Sequence, residues 1–297
     1  MLSRWRSAAS NPSTLRLIHG FVAPREIYSL DRCYSKVAAA PAAQATTESS
    51  SSTSSSRPKR FVEKPEVRLH ALFWFKPTSL ALAPNSPLRI EEPKFEGFRY
   101  IMLKLLLFYS KQSKAIRGAN VVYRRITSQI DKPPIYDVFH LEKTFKTTFS
   151  LLVLHMWLFL RRLREEGKEG SEFGQYLYEI YNHDLELRVS KAGVNLLLTK
   201  WMKELEKIFY GNIVAYDAAM SPEAKHDDLV NVIWRNVFSD DGSEMSSDAA
   251  KSVVQAMSRY IRRESTCLSL TDKDAIFSGN FMFTSLESHA PRPEKPK

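Results

Sequence analysis

From about Gly97 to Leu286 apolar residues recur every three or four positions, the spacing that gathers them on one face of an α-helix. The pattern predicts helices over 98–112 and 116–130, separated near Ser113 and closed by Pro133-Pro134. A single long helix is expected over 136–166, with Phe145, Phe149, Val153 and Trp157 at four-residue steps on one face and Gly167 and Gly170 ending it. Further helices are expected over 172–189 and 194–220. Ser221-Pro222-Glu223 reads as the opening of another, with Ser as N-cap and Pro at the first helical position. The last runs over 248–264, with Arg259, Arg262 and Arg263 at its negative dipole end. Strand-like alternation is nearly absent. The expectation is an all-α fold: one helical domain of about seven helices behind a disordered amino-terminal segment.

That segment follows a different logic. Residues 1–24 contain Arg4, Arg6 and Arg16, no acid, and interleaved Leu2, Trp5, Leu15, Leu17, Ile18 and Phe21. An Arg-rich, acid-poor amphipathic start reads as a mitochondrial transit peptide; a secretory signal needs an unbroken apolar run of roughly 7–15 residues, which the arginines interrupt. Arg32-Cys33-Tyr34-Ser35 resembles a processing site cut after Tyr34. Residues 38–60 are Ala-, Ser- and Thr-rich and carry no large apolar side chain to offset the entropy of ordering. Pro65, Pro77, Pro84, Pro87 and Pro93 exclude a long helix in the next stretch. The expected organisation is a transit peptide (1–34), a low-complexity and Pro-rich linker (35–93), a helical domain (94–286) and a disordered tail (287–297).

The net charge of +10 is concentrated at this end, where residues 1–60 hold nine basic against three acidic side chains. The remainder is only mildly basic, which argues against gripping DNA as its main work. Of the two cysteines, Cys33 departs with the presequence; Cys267 alone forms neither an internal disulfide nor a cysteine zinc site. The most apolar run, 149–160, is twelve residues long, short of the roughly 20 that cross a bilayer. It reads as a central core helix, so any membrane attachment is peripheral.

Candidate chemistry is sparse. No nucleophile elbow, phosphate loop, dinucleotide fingerprint or His-Glu-x-x-His occurs. Glu223-x-x-His226 matches half of a di-iron pattern, whose second copy is missing because Glu179 and His183 are spaced one residue too far. No catalytic residue, cofactor or metal site is expected. His155, the polar ring within the apolar run, reads as a neutral core histidine or a partner contact. The run Arg161-Arg162-Leu163-Arg164 reads as a solvated helix end, or as a contact for ribosomal RNA, anionic lipid or an acidic partner. Lys111, Lys114, Arg117, Arg124 and Arg125 form a second basic surface with the same two readings.

The long helix also carries a resemblance. Phe145-x-x-x-Phe149-Ser150-Leu151-Leu152-x-Leu154-His155-x-Trp157-x-x-Leu160-x-Arg162-x-Arg164-x-Glu166-Gly167 resembles the signature helix of the ubiquinol–cytochrome c chaperone family. Phe209-Tyr210 with Tyr216-Asp217, Trp234-Arg235-Asn236 with Phe238, and Gly279-x-Phe281-x-Phe283 agree in order and spacing. The resemblance spans about Tyr100 to Leu286. It implies a mitochondrial assembly factor for ubiquinol–cytochrome c reductase (complex III), without catalytic residues, peripheral to the inner membrane on the matrix side. Such a factor holds newly made cytochrome b, with a small partner chaperone, near the exit of the mitochondrial ribosome. Arg161, Arg162, Arg164, His155 and Trp157 are the candidate partner or ribosome contacts. A ribosome-bound translational activator of cytochrome b is the alternative, and an enzyme with an unrecognised site ranks last.

Overall fold

A computed structural model describes residues 69–287, apart from 92, 94, 240–244, 246 and 247. The expected transit peptide, its processing site, the Ser-rich tether and the tail from 288 onward lie outside the described residues. After a 3-10 turn at Leu69–Ala71 come nine α-helices among the described residues. They are α1 (Phe98–Leu105), α2 (Lys111–Ile130), α3 (Pro133–Val138), α4 (Phe145–Arg164), α5 (Gly167–Lys191), α6 (Leu198–Ala219), α7 (Asp228–Ile233), α8 (Asp248–Ser269) and α9 (Lys273–Ser278). A π-helical turn, Trp234–Phe238, continues α7 and closes on the Ser239 N–H to Trp234 carbonyl bond of 2.8 Å. The described residues form an all-α domain, as the periodicity predicts.

α4 is the axis of the domain. Every residue from Phe149 to Phe159 is buried, because α2, α5, α6, α8 and the π turn surround it. That enclosure explains a helix apolar on all sides yet too short to cross a membrane. Trp157 and Tyr216 pack at 5.0 Å between ring centroids, tying α4 to α6. The expected helix over 136–166 is in fact two. His140 adopts a positive φ of 50°, and Thr144 and Thr147 form a reciprocal capping box that starts α4 afresh. α2 stops at Ile130, ahead of Pro133-Pro134 as expected, and Pro133 also opens α3, since proline suits the first helical turn.

Other boundaries shift for local reasons. Ser110, whose side chain accepts the Ser113 N–H at 3.2 Å, begins α2, so the break expected near Ser113 falls earlier. Gly167 and Gly170 make a tight corner in place of a loop. Gly167 has φ +59°, and a Cβ on Gly170 would sit 1.8 Å from the Leu163 carbonyl oxygen. No helix opens at Ser221: the backbone folds back on α6, Asp228 captures the Lys225 N–H at 2.8 Å, and α7 starts only there. α8 runs on to Ser269, so Arg259, Arg262 and Arg263 sit inside the helix and not in its last turn. Arg259 spends its guanidinium on the carbonyls of Leu69 (2.6 Å) and Leu72 (3.1 Å).

The two ends of the domain meet. Extended residues 280–286 lie along the core, burying Phe281, Phe283 and Leu286, and pair with the Pro-rich arm through an Ala81–Phe281 bridge. The Leu82 N–H reaches Asn280 O at 2.8 Å and the Met282 N–H reaches Leu80 O at 3.1 Å. Within the Leu72-Phe73-Trp74-Phe75 cluster the backbone turns at Phe73 (φ 66°), burying Phe73 beside Phe139 and Tyr260 and leaving Trp74 and Phe75 exposed.

Candidate functional site

The five residues singled out as contacts occupy three environments. His155 is wholly buried. Its Nδ1 lies 2.7 Å from the Leu151 carbonyl, which can only accept, so Nδ1 carries the proton and Nε2 accepts from the Tyr260 hydroxyl at 3.0 Å. Burial pushes the imidazole down to about 4, so it is neutral near pH 7. Tyr260 in turn accepts from Gln129 Nε2 at 3.2 Å, and the same nitrogen donates to the Thr284 carbonyl at 3.0 Å. Thr284 then meets Glu264, also fully buried, whose carboxylate takes the Thr284 N–H, the Thr284 hydroxyl and an Arg263 N–H. Burial raises the Glu264 carboxyl above its ordinary range. This chain of polar groups fastens the 280–286 strap to α2, α4 and α8, with His155, Tyr260 and Glu264 buried and Gln129, Arg263 and Thr284 half-buried at its outer side.

Arg162 is structural as well. Its guanidinium donates to the carbonyls of Leu268 (3.0 Å) and Thr271 (3.2 Å) at the end of α8, and pairs with Glu166 at 2.8 Å. Trp157 is buried but reaches the rim, where its indole N–H donates to Asp217 Oδ1 at 2.8 Å. Asp217 also pairs with Arg164 at 2.7 Å and Arg161 at 3.7 Å. Of the five, only Arg161 and Arg164 present charge to solvent. His155, Trp157 and Arg162 face inward, because one turn of α4 carries both its core face and its exit from the core.

The second basic surface divides similarly. Arg125 donates to Gly279 O (3.1 Å) and Leu88 O (2.6 Å), and Arg117 donates to Phe108 O at 2.8 Å while covering that ring at 4.1 Å. Lys111, Lys114 and Arg124 remain exposed. Apolar exposure, which periodicity alone did not locate, occurs in several places. Tyr210 and Val214 face outward on α6, Leu196 and Leu197 are exposed just before its start, and Trp74 and Phe75 protrude from the arm. Among the described residues no group of three or more His, Cys, Asp or Glu is placed to hold a metal ion, and Glu223 and His226 lie exposed on the turn before α7. Cys267 is buried, and burial pushes its thiol up. Among the described residues no helix is long and apolar enough to cross a membrane.

The sequence model of the ubiquinol–cytochrome c chaperones matches residues 137–284. Residues 137–284 belong to the ubiquinol–cytochrome c chaperone family. The ubiquinol–cytochrome c reductase complex assembly factor 1 of Xenopus laevis is 24% identical over 56% of this chain and 80% of its own length. Its counterpart in Homo sapiens is 25% identical over 72% of this chain and 70% of its own. The mitochondrial protein CBP3 of Saccharomyces cerevisiae is 27% identical over 50% of this chain and 43% of its own. A solved structure, the Cbp3 homolog from Brucella abortus, superposes with a TM-score of 0.52 over 63% of this chain and 98% of that one, at 24% identity, a likeness of fold.

Within residues 137–284 most of the signature residues are packing residues, Arg164 and Tyr210 being exposed. Phe281 stacks on Phe159 at 5.4 Å, Phe283 meets His155 edge-on at 5.2 Å, and Trp234 stacks on Phe238 at 6.2 Å. Asp217 is the link between the core tryptophan and the outer arginines.

Proposed function

We propose that this chain is a mitochondrial assembly chaperone for ubiquinol–cytochrome c reductase and acts without catalysis of its own. In this reading it holds newly made cytochrome b, with a small partner chaperone, near the exit of the mitochondrial ribosome on the matrix side of the inner membrane. The match of residues 137–284 to the chaperone family carries the reading. The relatives named as complex assembly factors support the same complex. The surface is compatible with a hydrophobic client: large apolar side chains stand exposed on α6 and the arm, on a scaffold whose own core is closed.

Arg161 and Arg164 are proposed as the contact for an anionic partner such as ribosomal RNA, with Asp217 holding both in place. Arg162 is left out of the test because its loss would expose α8's terminal carbonyls. Removing the protein should lower cytochrome b and complex III more than other respiratory complexes. Purification from mitochondria in mild detergent should recover cytochrome b, a small helical partner and ribosomal proteins. Arg161→Gln with Arg164→Gln should reduce ribosome recovery and spare cytochrome b. Loss of cytochrome b recovery in step with the ribosome favours the translational-activator reading instead. Unchanged complex III in a null mutant refutes the assembly role.

A further inference from the structure

α1 is built inside out. Phe98, Ile101, Met102 and Leu105 fall at i, i+3, i+4 and i+7, the spacing of a single apolar face, yet none is buried; Phe98 is 76% and Leu105 74% exposed. Leu106 and Leu107 extend the apolar surface beyond the helix end at 69% and 67% exposure. An amphipathic helix of a soluble domain normally turns this face inward, and here no residue of α1 is buried.

Along α1, α2 and the turn between them the charge has one sign, with the exposed Glu96 just ahead of α1. From Gly97 to Ile130 the chain carries seven Lys or Arg and no Asp or Glu. Arg99 and Lys104 lie on α1 itself, and Lys111 and Lys114 open α2 just behind it; all four are exposed. Aromatic rings stand between the two helices: Phe108 packs edge-on to Phe95 at 6.0 Å and to Tyr109 at 5.2 Å, and Tyr109 meets Tyr100 at 5.4 Å. The Arg117 guanidinium, 4.1 Å over Phe108, holds this hinge to the body.

We propose that α1 with Leu106 and Leu107 is an interfacial anchor that lays its apolar face into the surface of an anionic phospholipid bilayer. The occupant follows from charge and shape. A convex, single-helix apolar ridge bordered by cations suits a planar surface with an apolar interior and anionic headgroups. Interfacial tyrosines fit the same boundary, with rings in the apolar layer and hydroxyls toward water. At eight residues the helix is too short to span and gives reversible binding. The inference is independent of the client proposed above: the anchor stands or falls on lipid alone.

Residues 1–24 are themselves cationic and amphipathic, so the readout must sit on α1 and not on bulk binding. The full chain carrying Cys33→Ser and Met102→Cys is labelled with an environment-sensitive fluorophore; Cys267 is buried and stays unlabelled. Mixing with vesicles of phosphatidylcholine containing phosphatidylglycerol should shift the emission to the blue, with little response to phosphatidylcholine alone and attenuation by salt. The same label at Leu196→Cys, 99% exposed on the body, should not shift. Adding Ile101→Glu and Leu105→Glu should abolish the signal and leave the melting temperature unchanged, since neither side chain is buried. The proposal is overturned by an unshifted label at 102, by equal shifts at 102 and 196, by equal response to uncharged vesicles, or by a shift that only a protein partner produces.

Discussion

His155 shows what one side chain does when an apolar helix must carry a polar ring. The ring is fully enclosed, spends both nitrogens on fixed partners, and is held down to about 4 from an ordinary 6.5. The unfolded chain takes up this proton near pH 6.5 and the folded chain refuses it until about 4. The stability involved is present above 6.5 and lost as pH falls across that window, by about 3 kcal/mol for a shift of this size. Glu264 acts with opposite sign: its raised carboxyl favours the folded state when protonated, so that contribution fades as pH rises above 4.5. His155→Gln keeps a donor and an acceptor in the cavity but cannot take the proton. Thermal melting between pH 6.5 and 4 should therefore be flatter in the variant; equal slopes would show that the linkage lies elsewhere. That His155 is a neutral core residue was legible in the sequence, as its neighbours on every side are apolar. That Trp157 and Arg162 also face inward was not, because helical periodicity gives a face without saying how far neighbours reach around it.

At the scale of elements, existence was easier to read than boundaries. Helix-spaced residues at 145, 149, 153 and 157 do lie in one helix, but the chain upstream breaks at His140 and restarts at Thr144. The missed signal was the Thr144-x-x-Thr147 box, whose two bonds outweigh continued helical propensity at the start of α4. Favourable cap residues at Ser221-Pro222 lost instead to a turn closed by Asp228. Close approach of elements left no periodic trace at all. Gly118 in α2 faces α9 so tightly that a Cβ would stand 2.0 Å from the Phe277 carbonyl oxygen. Gly118→Val should lower stability by about 1–3 kcal/mol, the range for overpacking with backbone displacement. Denaturant unfolding measures it, and a loss below about 0.5 kcal/mol, the size of an ordinary surface change, would mean that α9 yields freely.

Across the whole molecule, the strap 280–286 and the Pro-rich arm close the domain by joining segments some 190 residues apart. Phe281 is fully buried against Phe159, so Phe281→Ala should cost about 3–5 kcal/mol and lower the melting temperature of the entire unit in one transition. A second, separate transition for the strap would contradict this cooperativity. The closure also separates the two kinds of information in the family signature. Its residues, from Phe145 to Phe283, chiefly hold the core together, while outward-facing charge and apolar surface lie beside them.

Taken by itself, the sequence determined the all-helical class, the central place of the 149–160 run, the basic amino end and the family resemblance. Each of these is written in local spacing or in composition, which a chain carries before it folds. Tertiary structure alone decided which arginines are free to meet a partner, where the helices stop, and that α1 turns its apolar face to solvent. Those outcomes depend on which surfaces residues far apart in the chain happen to cover, and burial is a property of the packed whole.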